Sequence, residues 1–476
     1  MARSSTDVVR ARGSLRDEMA AGDLGDARLN ARRNRVMTVL ERSPDVGFPE
    51  ACRDGSETEA LYRFLRNRRI SLPAILAPHL EATGARCRAL DEVLVIHDTT
   101  EMAFPREHPQ TGLTPLGPRR HGFWFHAALA VSAEGMRAPL GLIGAAPVTR
   151  PRRDGPKVPW RERFRDPQKE SRRWAEGVAA VRSRMNEPRH AIHVMDREGD
   201  SYELFAAMTA YGDRYVVRVR YDRQVDGEPP ESMRLSDVRA QAPVLVERPV
   251  TVAARRAEDR AQRLAHPARE GRTATVSFAA SRVTLHRPQD HRASAMPPTI
   301  TINVVFGWEA QPLPGETPVE WWLATTEPID TIEDVLRIVE WYRTRWLIEE
   351  FFKCLKTGCA YEKRQLESLD TLLVALALLA PIAWQLLLLR HLAREYPETR
   401  ATVALSPRQI AILRTTARGT PVSETPSAQE ALLLVARLGG HLRQNGEPGW
   451  LVLTRGMQKL RDMEAGWAAA TRAREM

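Results

Sequence analysis

Four residues in the last third of the chain have the types and spacing to do chemistry together. Tyr342, Arg345, Glu349 and Lys356 follow one another at intervals of three, four and seven. At about 100° per residue they share roughly 60° of arc, a stripe three to four turns long. Leu347, Ile348, Phe351 and Leu355 fall on a different side. A helix so patterned buries an apolar face and presents Tyr, Arg, Glu and Lys together. Arg345 and Glu349 at i, i+4 also read as an ordinary ion pair, which leaves Tyr342 and Lys356 unexplained. Two more carboxylates stand out. Asp98 follows the apolar run Val93–Ile96, and Asp196 follows Ala191–Met195. A lone Asp after a strand is usually a turn or cap residue. Two of them, with Glu349, make a site for two divalent metals, which activate one oxygen and stabilise the leaving one in phosphoryl transfer. Mg²⁺ suits such a set because it prefers carboxylate and water oxygens. Arg345 and Lys356 would then hold substrate phosphates. Paired carboxylates also serve glycosidases as acid and base, but that chemistry has no use for the Arg and Lys.

The elements that must position these residues can be read from apolar pattern. Short buried strands are predicted at 93–96, 123–132, 191–195 and 214–220, with a helix near 170–186. This is a mixed α/β core. A long helix spans 332–357 and stops at Gly358. Residues 236–310 alternate β-like runs at 243–253, 273–286 and 299–307, a mostly β insertion. Residues 1–70 read as helical, with Asp26 as an N-cap. Arg28, Arg32 and Arg35 share a face there, and Tyr62, Arg63 and Arg66 sit on a second helical stretch, 57–66. Arginines at helical spacing are either a solvated face or a DNA contact. The chain after about 392 is helical again.

Length and composition bound the rest. At 476 residues the chain suggests about three folding units. Hydrophobic residues at 43% and charged at 27% exclude wholesale disorder. The net charge is +10, with 70 basic and 60 acidic residues. Only six of the basic residues are Lys, so Arg codon bias explains the excess as well as a DNA partner does. Residues 1–85 carry 14 Arg against 12 Asp/Glu, a net of +2, while the Pro-rich stretch 147–173 has ten Lys/Arg against four Asp/Glu. The four cysteines form no CxxC pair and fit a reducing cytosol. The first 30 residues have no apolar signal core. Residues 372–389 are long and apolar enough to span a membrane but contain Pro381 and Gln385, and read as a buried helix.

The run Tyr342-x₂-Arg345-x₃-Glu349-x₆-Lys356 resembles the YREK signature of bacterial insertion-sequence transposases of the IS-four family, which are DDE cut-and-paste enzymes. Similar stretches cover nearly the whole chain: Leu24–Arg28, Ala60–Asn67, Ile96–Thr100, Asp196–Glu198, Gly315–Pro318 and Ala436–Gly440. The resemblance implies a ribonuclease-H-like core with Asp98, Asp196 and Glu349 as catalytic ligands of two Mg²⁺ ions, Mn²⁺ substituting. It implies Tyr342, Arg345, Lys356 and Arg218 as DNA phosphate contacts and Trp321 as the ring that stacks on a flipped base. Trp321 reads equally as core packing, and Trp322 is beside it. Arg28, Arg32, Arg63 and Arg66 become contacts to the transposon end repeats. The implied domains are a helical DNA-end-binding domain at 1–72, the catalytic domain at 73–392 with its β insertion, and a helical dimerisation domain at 393–476. Leu460, Met463 and Trp467 recur there at i, i+3, i+7, a spacing that also suits ordinary packing.

The activity implied is nicking of double-stranded DNA, a hairpin intermediate and joining of 3′ ends to target DNA, by a cytoplasmic homodimer with no membrane or small-molecule partner. Two other readings stay open: a catalytically weak relative that binds ends and inhibits, and a metal-dependent DNA nuclease. Against the family, the Asp196–Glu349 interval is longer, around 286–297, and the stretch 147–173 is basic rather than acidic.

Overall fold

The computed structural model describes residues 14–105, 110–117, 119–149, 171–185, 187, 190–226, 233–252, 254, 269–289, 296–417 and 422–475. Most of the basic stretch 147–173 lies outside them. In chain order the main elements are α1 (Leu15–Ala20), α2 (Ala27–Arg42), α3 (Gly55–Leu65), α4 (Leu72–Arg88), β1 (Val93–Pro105), β2 (Arg120–Ser132), β3 (Pro139–Val148) and α5 (Arg172–Arg182). Then come β4 (Ala191–Met195), α6 (Tyr202–Tyr211), β5 (Arg214–Arg218), β6 (Val246–Val252), β7 (Arg272–His286), β8 (Thr299–Glu309) and β9 (Glu320–Thr325). The last are α7 (Ile332–Thr344), α8 (Trp346–Lys353), α9 (Leu369–Glu395), α10 (Pro407–Thr416), α11 (Ala428–Leu438) and α12 (Trp450–Glu475). They divide into two compact units. The first is Met1–Pro156, Glu176–Ala191 and Trp346–Met476; the second is Lys157–Ala175 and Ile192–Arg345.

In the first unit, β1 pairs antiparallel with β2 from Val93↔Ser132 to Pro105↔Arg120. β2 pairs onward with β3, with register shifts near Ala128 and Ala130. Residues 93–97 of β1 are fully buried and 98–101 half-buried, so the strand leaves the core at Asp98. Helices cover this sheet. α9 is apolar on every side and capped by Ser368, whose side chain accepts from Thr371 N. Its most apolar stretch has a mean hydropathy of 2.5 and is 89% buried. A helix hydrophobic all round belongs inside a large core, as the sequence predicts.

Asp26 caps α2 as expected, its carboxylate accepting from Arg28 N at 2.8 Å. α1 is fastened by a buried ion cluster. Glu18 meets His79 Nδ1 at 2.5 Å and Arg86 Nη1 at 2.6 Å. His79 Nε2 accepts from Leu142 N at 3.0 Å, so the ring is held as the neutral tautomer with its proton on Nδ1. Arg86 lies over the Trp384 ring at 4.8 Å.

In the second unit, β4 runs parallel to β5, from Ile192↔Arg214 to Met195↔Val217. The order continues antiparallel through β9, β8, β7 and β6. The β insertion expected at 236–310 is therefore the long β7–β8 hairpin with β6 on its edge.

The expected single helix 332–357 is interrupted. α7 ends at Thr344 and α8 starts at Trp346. Thr344 Oγ1 donates back to the Glu340 carbonyl at 2.9 Å, and Arg345 N bonds Tyr342 O, three residues back. Hydroxyl back-bonding of this kind bends helices. Cys354–Gly358 then forms a π turn, with Cys359 N on Cys354 O at 2.9 Å. The even 100° step from Tyr342 to Lys356 does not hold through either feature.

Candidate active site

Asp98 lies inside β1, opposite Ala127, and not at a strand end. The strand continues to Pro105 because Met102 and Phe104 return to the core, both almost fully buried. The carboxylate is half-buried and its Oδ1 accepts from Thr99 N at 2.7 Å. Thr99 Oγ1 meets His126 Nδ1 at 2.9 Å. The buried rings of His97 and His126 stack 5.7 Å apart. Gly177 of α5 approaches them closely. A Cβ there would stand 2.7 Å from His126 Nε2 and 3.2 Å from His97 Nδ1.

α8 packs against β1, and its Phe352 stands edge-on to Phe125 of the neighbouring β2 at 6.2 Å. The first unit thus brings together the strand of Asp98 and the helix of Glu349, which is half-buried. Next to it, Glu350 pairs with Arg390 at 3.4 Å, and Arg390 lies over the Trp450 ring. Lys356 projects from the π turn and sits 3.7 Å from Glu362. Glu362 in turn accepts from Ala103 N of β1 at 2.9 Å.

Asp196 belongs to the second unit and follows β4 directly, as expected. It is half-buried and caps the 3₁₀ turn Arg197–Gly199, accepting from Glu198 N at 2.8 Å. Arg218 ends β5 and donates to the Glu320 carbonyl at 3.0 Å. Trp321 on β9 is half-buried, opposite Gly307, with its ring 6.5 Å from Phe278. Trp322 packs T-shaped on Phe306 and donates to Glu320 Oε1. Tyr342 is 8% exposed, more buried than a presented residue would be. The Arg345 guanidinium stands 6.0 Å from its ring centre.

Sequence reading passed over Arg197, though it adjoins Asp196. Burial and the charges of Arg218 and Arg220 push the Arg197 pKa down, while Tyr342 and Asp196 pull it up. Those five side chains therefore share one electrostatic neighbourhood. Arg197, Arg218 and Arg220 make no ion pair among the described residues.

The amino-terminal arginines behave unequally. Arg28 and Arg32 make no ion pair among the described residues, whereas Arg63 pairs with Glu59 at 2.9 Å and Arg66 with Glu367 at 2.6 Å. Exposed pairs like these hold weakly. A cleft of about 710 Å³ between α2 and α3 is lined by Arg32 and Arg63 and also by Arg35, Arg42 and Arg53. Of these only Arg35 had a sequence signal, the helical face it shares with Arg28 and Arg32.

Residues 11–70 match the family model for a transposase DNA-binding domain, and residues 169–384 the model for a transposase DDE domain. The chain carries a DDE transposase domain. The first match spans Arg28, Arg32, Arg63 and Arg66. The second spans Asp196, Arg218, Trp321 and all four residues from Tyr342 to Lys356; Asp98 precedes it. The mixed α/β core is ribonuclease-H-like, as the sequence predicts. Among solved structures, the cryo-EM structure of the piggyBac transposase synaptic complex with hairpin DNA is similar at 9% identity. Its TM-score is 0.37, over 82% of this chain and 75% of that one. A likeness so distant places no individual residue.

For a divalent metal the donor chemistry of the three candidate carboxylates fits. Asp98, Asp196 and Glu349 are half-buried carboxylates, hard oxygen donors of the kind Mg²⁺ prefers. Among the described residues of each unit taken alone, no three His, Cys, Asp or Glu side chains group to hold a metal. Asp98 and Glu349 lie in the first unit and Asp196 in the second.

Proposed function

We propose that the protein is a cut-and-paste transposase of the IS-four group with the YREK signature, resembling the transposase of the composite kanamycin-resistance transposon. The observation that supports this best is the setting of Asp196. A carboxylate at a strand end shares its surroundings with Arg197, Arg218, Arg220 and Tyr342 inside a DDE domain. A lone carboxylate among cations without carboxylate partners suits a site for polyanionic substrate.

In this reading Asp98, Asp196 and Glu349 hold two Mg²⁺ ions, which Mn²⁺ can replace. The ions supply Lewis acidity for attack at phosphorus. The chain's own residues do the rest. Arg218, Arg345, Lys356 and Tyr342 hold phosphates beside the scissile bond, and Trp321 stacks on a flipped base. Cleavage proceeds through a hairpin and ends with joining of 3′ ends to target DNA. Arg28, Arg32, Arg63 and Arg66 contact the end repeats from domain 1–72, the catalytic domain covers 73–392, and 393–476 dimerises in the synaptic complex. On α12, Leu460 is buried in its own unit, while Met463 and Trp467 are 38% and 46% exposed. The dimer surface would therefore use the latter two. The protein works in the bacterial cytoplasm on the nucleoid.

The test is incubation of the full chain with the element's end DNA and Mg²⁺. Wild type should cleave and join; Asp98→Ala, Asp196→Ala and Glu349→Ala should bind the ends without cleaving. Variants that cleave like wild type would overturn the site. Retardation of end DNA with no cleavage by wild type would instead support a binding-only relative.

A further inference from the structure

Asp200 is a buried carboxylate that the chemistry above does not use. Its side chain is 0% exposed. Oδ2 accepts from Arg220 N at 2.6 Å and Tyr221 N at 2.9 Å. Oδ1 accepts from Arg223 through Nε at 3.1 Å and through Nη2. The Asp200 carbonyl accepts from Arg223 Nη2 at 3.2 Å. A buried carboxylate is costly unless its lone pairs are filled. Here they are filled from one short segment, 220–223. The same residue closes the 3₁₀ turn that Asp196 opens.

Arg220 and Tyr221 of that segment turn their side chains outward, while Arg223 turns in to Asp200. Arg220 is exposed, Val219 is buried, and Arg218 is half-buried. The alternation puts Arg218 and Arg220 on one side of the extended chain. Tyr221 is 52% exposed. Its ring is flanked by the guanidiniums of Arg220 at 5.4 Å and Arg223 at 5.5 Å, and Arg223 also lies over the buried Phe205 ring. Arg197 adds a third positive charge nearby. Like charges held together by a fixed backbone favour an anion. Guanidiniums for phosphates and an exposed ring for a base are the two parts of a single-strand platform.

We infer that Asp200 is a positioning residue: it fixes Arg220 and Tyr221 as a ledge for an unpaired DNA strand that passes Arg218 and Asp196. The inference rests on the transposase reading and deepens it. The ledge is read by binding without metal, so it stands or falls apart from cleavage.

The experiment measures affinity of the full chain, without metal and across a salt series, for two DNA probes of arbitrary sequence. One is a blunt duplex and the other carries an unpaired extension. Asp200→Asn replaces an acceptor by an N–H that faces donors. It and Arg220→Ala should each lower the salt slope on the extended probe by about one. Their double variant should lose no more than either alone. Tyr221→Ala should lose roughly tenfold on the extended probe and little on the blunt one. If Asp200→Asn melts below assay temperature, Arg220→Ala and Tyr221→Ala decide, because the bonds from those residues to Asp200 come from their main chain. A folded Asp200→Asn with the wild-type slope would overturn the positioning role. Equal loss on both probes for Tyr221→Ala, or none, would overturn the ledge. Absence of Mg²⁺-dependent end cleavage by wild type would instead remove the transposase reading.

Discussion

Asp98 and Asp196 emerge from β strands by different routes. Asp98 lies in the interior of a strand of 13 residues, paired along its whole length. Thr99 beside it meets one of two stacked histidines, and elsewhere in the same unit Lys356 lies beside Glu362 and Arg390 beside Glu350. Asp196 stands where β4 stops, on a 3₁₀ turn, among arginines with no ion pair among the described residues. The contrast is a division of labour between the two aspartates: β1 fixes the Asp98 carboxylate in a rigid frame, and the turn after β4 sets Asp196 among positive charge that a DNA strand would neutralise.

If both aspartates serve one metal-dependent reaction, the contrast should vanish in single-turnover cleavage. Asp98→Asn, Asp196→Asn and Glu349→Gln should each cost more than about a hundredfold, since even outer-shell partners of metal ligands cost 10–100-fold. A large loss for Asp196→Asn with a small one for Asp98→Asn would confine the chemistry to the second unit. DNA binding should separate the surroundings of the two aspartates where cleavage does not.

Stability should show the frame of the first unit directly. Burial raises the Glu18 pKa, but the hydrogen bonds and charges of His79 and Arg86 outweigh it and leave it at about 2. Burial also pushes the His79 pKa below its usual value, against the pull of Glu18. Both folded values are depressed, so the unfolded chain binds more protons on acidification. The contribution of His79 begins to fall away as pH drops below about 6.5, and that of Glu18 is lost between about 4.5 and 2. The Glu18 shift alone amounts to about 3 kcal/mol. Melting of wild type and Glu18→Gln across this range checks it. A Glu18→Gln variant with the wild-type acid limb would show that α1 does not set the loss.

Gly177→Ala probes the same frame closer to Asp98. The added methyl meets His126 and His97 at less than normal contact distance. Overpacking of this sort costs about 1–3 kcal/mol. It should lower the melting point and slow cleavage through Asp98, and leave metal-free DNA affinity alone. A change in affinity would show that the two regions are not separable in function.

Much of this was legible beforehand. Apolar runs placed β1, β4, β5 and α9, and the cap residue Asp26 placed α2, because those signals are local. The extension of β1 past Asp98 was not, since it depends on 13 pairings with β2, a segment distant in sequence. Nor was the break at Arg345. The pattern 332–357 is helical throughout, and periodicity averages away both the Thr344 hydroxyl bond at the break and the separate π turn at Cys354–Gly358. Trp321 and Arg218 came from resemblance alone. Asp200 carried no sequence signal apart from lying near Asp196, because burial and its Arg223 partner are tertiary facts.

The finest test of the contrast compares two cations that sequence treats alike. Arg218 and Lys356 both read as phosphate contacts. Among the described residues Arg218 donates to a carbonyl, Glu320 O, and makes no ion pair, whereas Lys356 has Glu362 at 3.7 Å. A cation that must leave a carboxylate to meet a phosphate gains less from the exchange. Each phosphate contact contributes about 0.9 to the slope of log affinity against log salt. Arg218→Ala should therefore lower the slope by about that much, a few-fold in affinity between low and moderate salt. Lys356→Ala should lower it by less, and Glu362→Gln, which frees the ammonium, should raise affinity slightly. If Lys356→Ala takes the larger slope, the surroundings of Asp98 grip DNA as firmly as those of Asp196, and the division between a frame and a charged face is wrong.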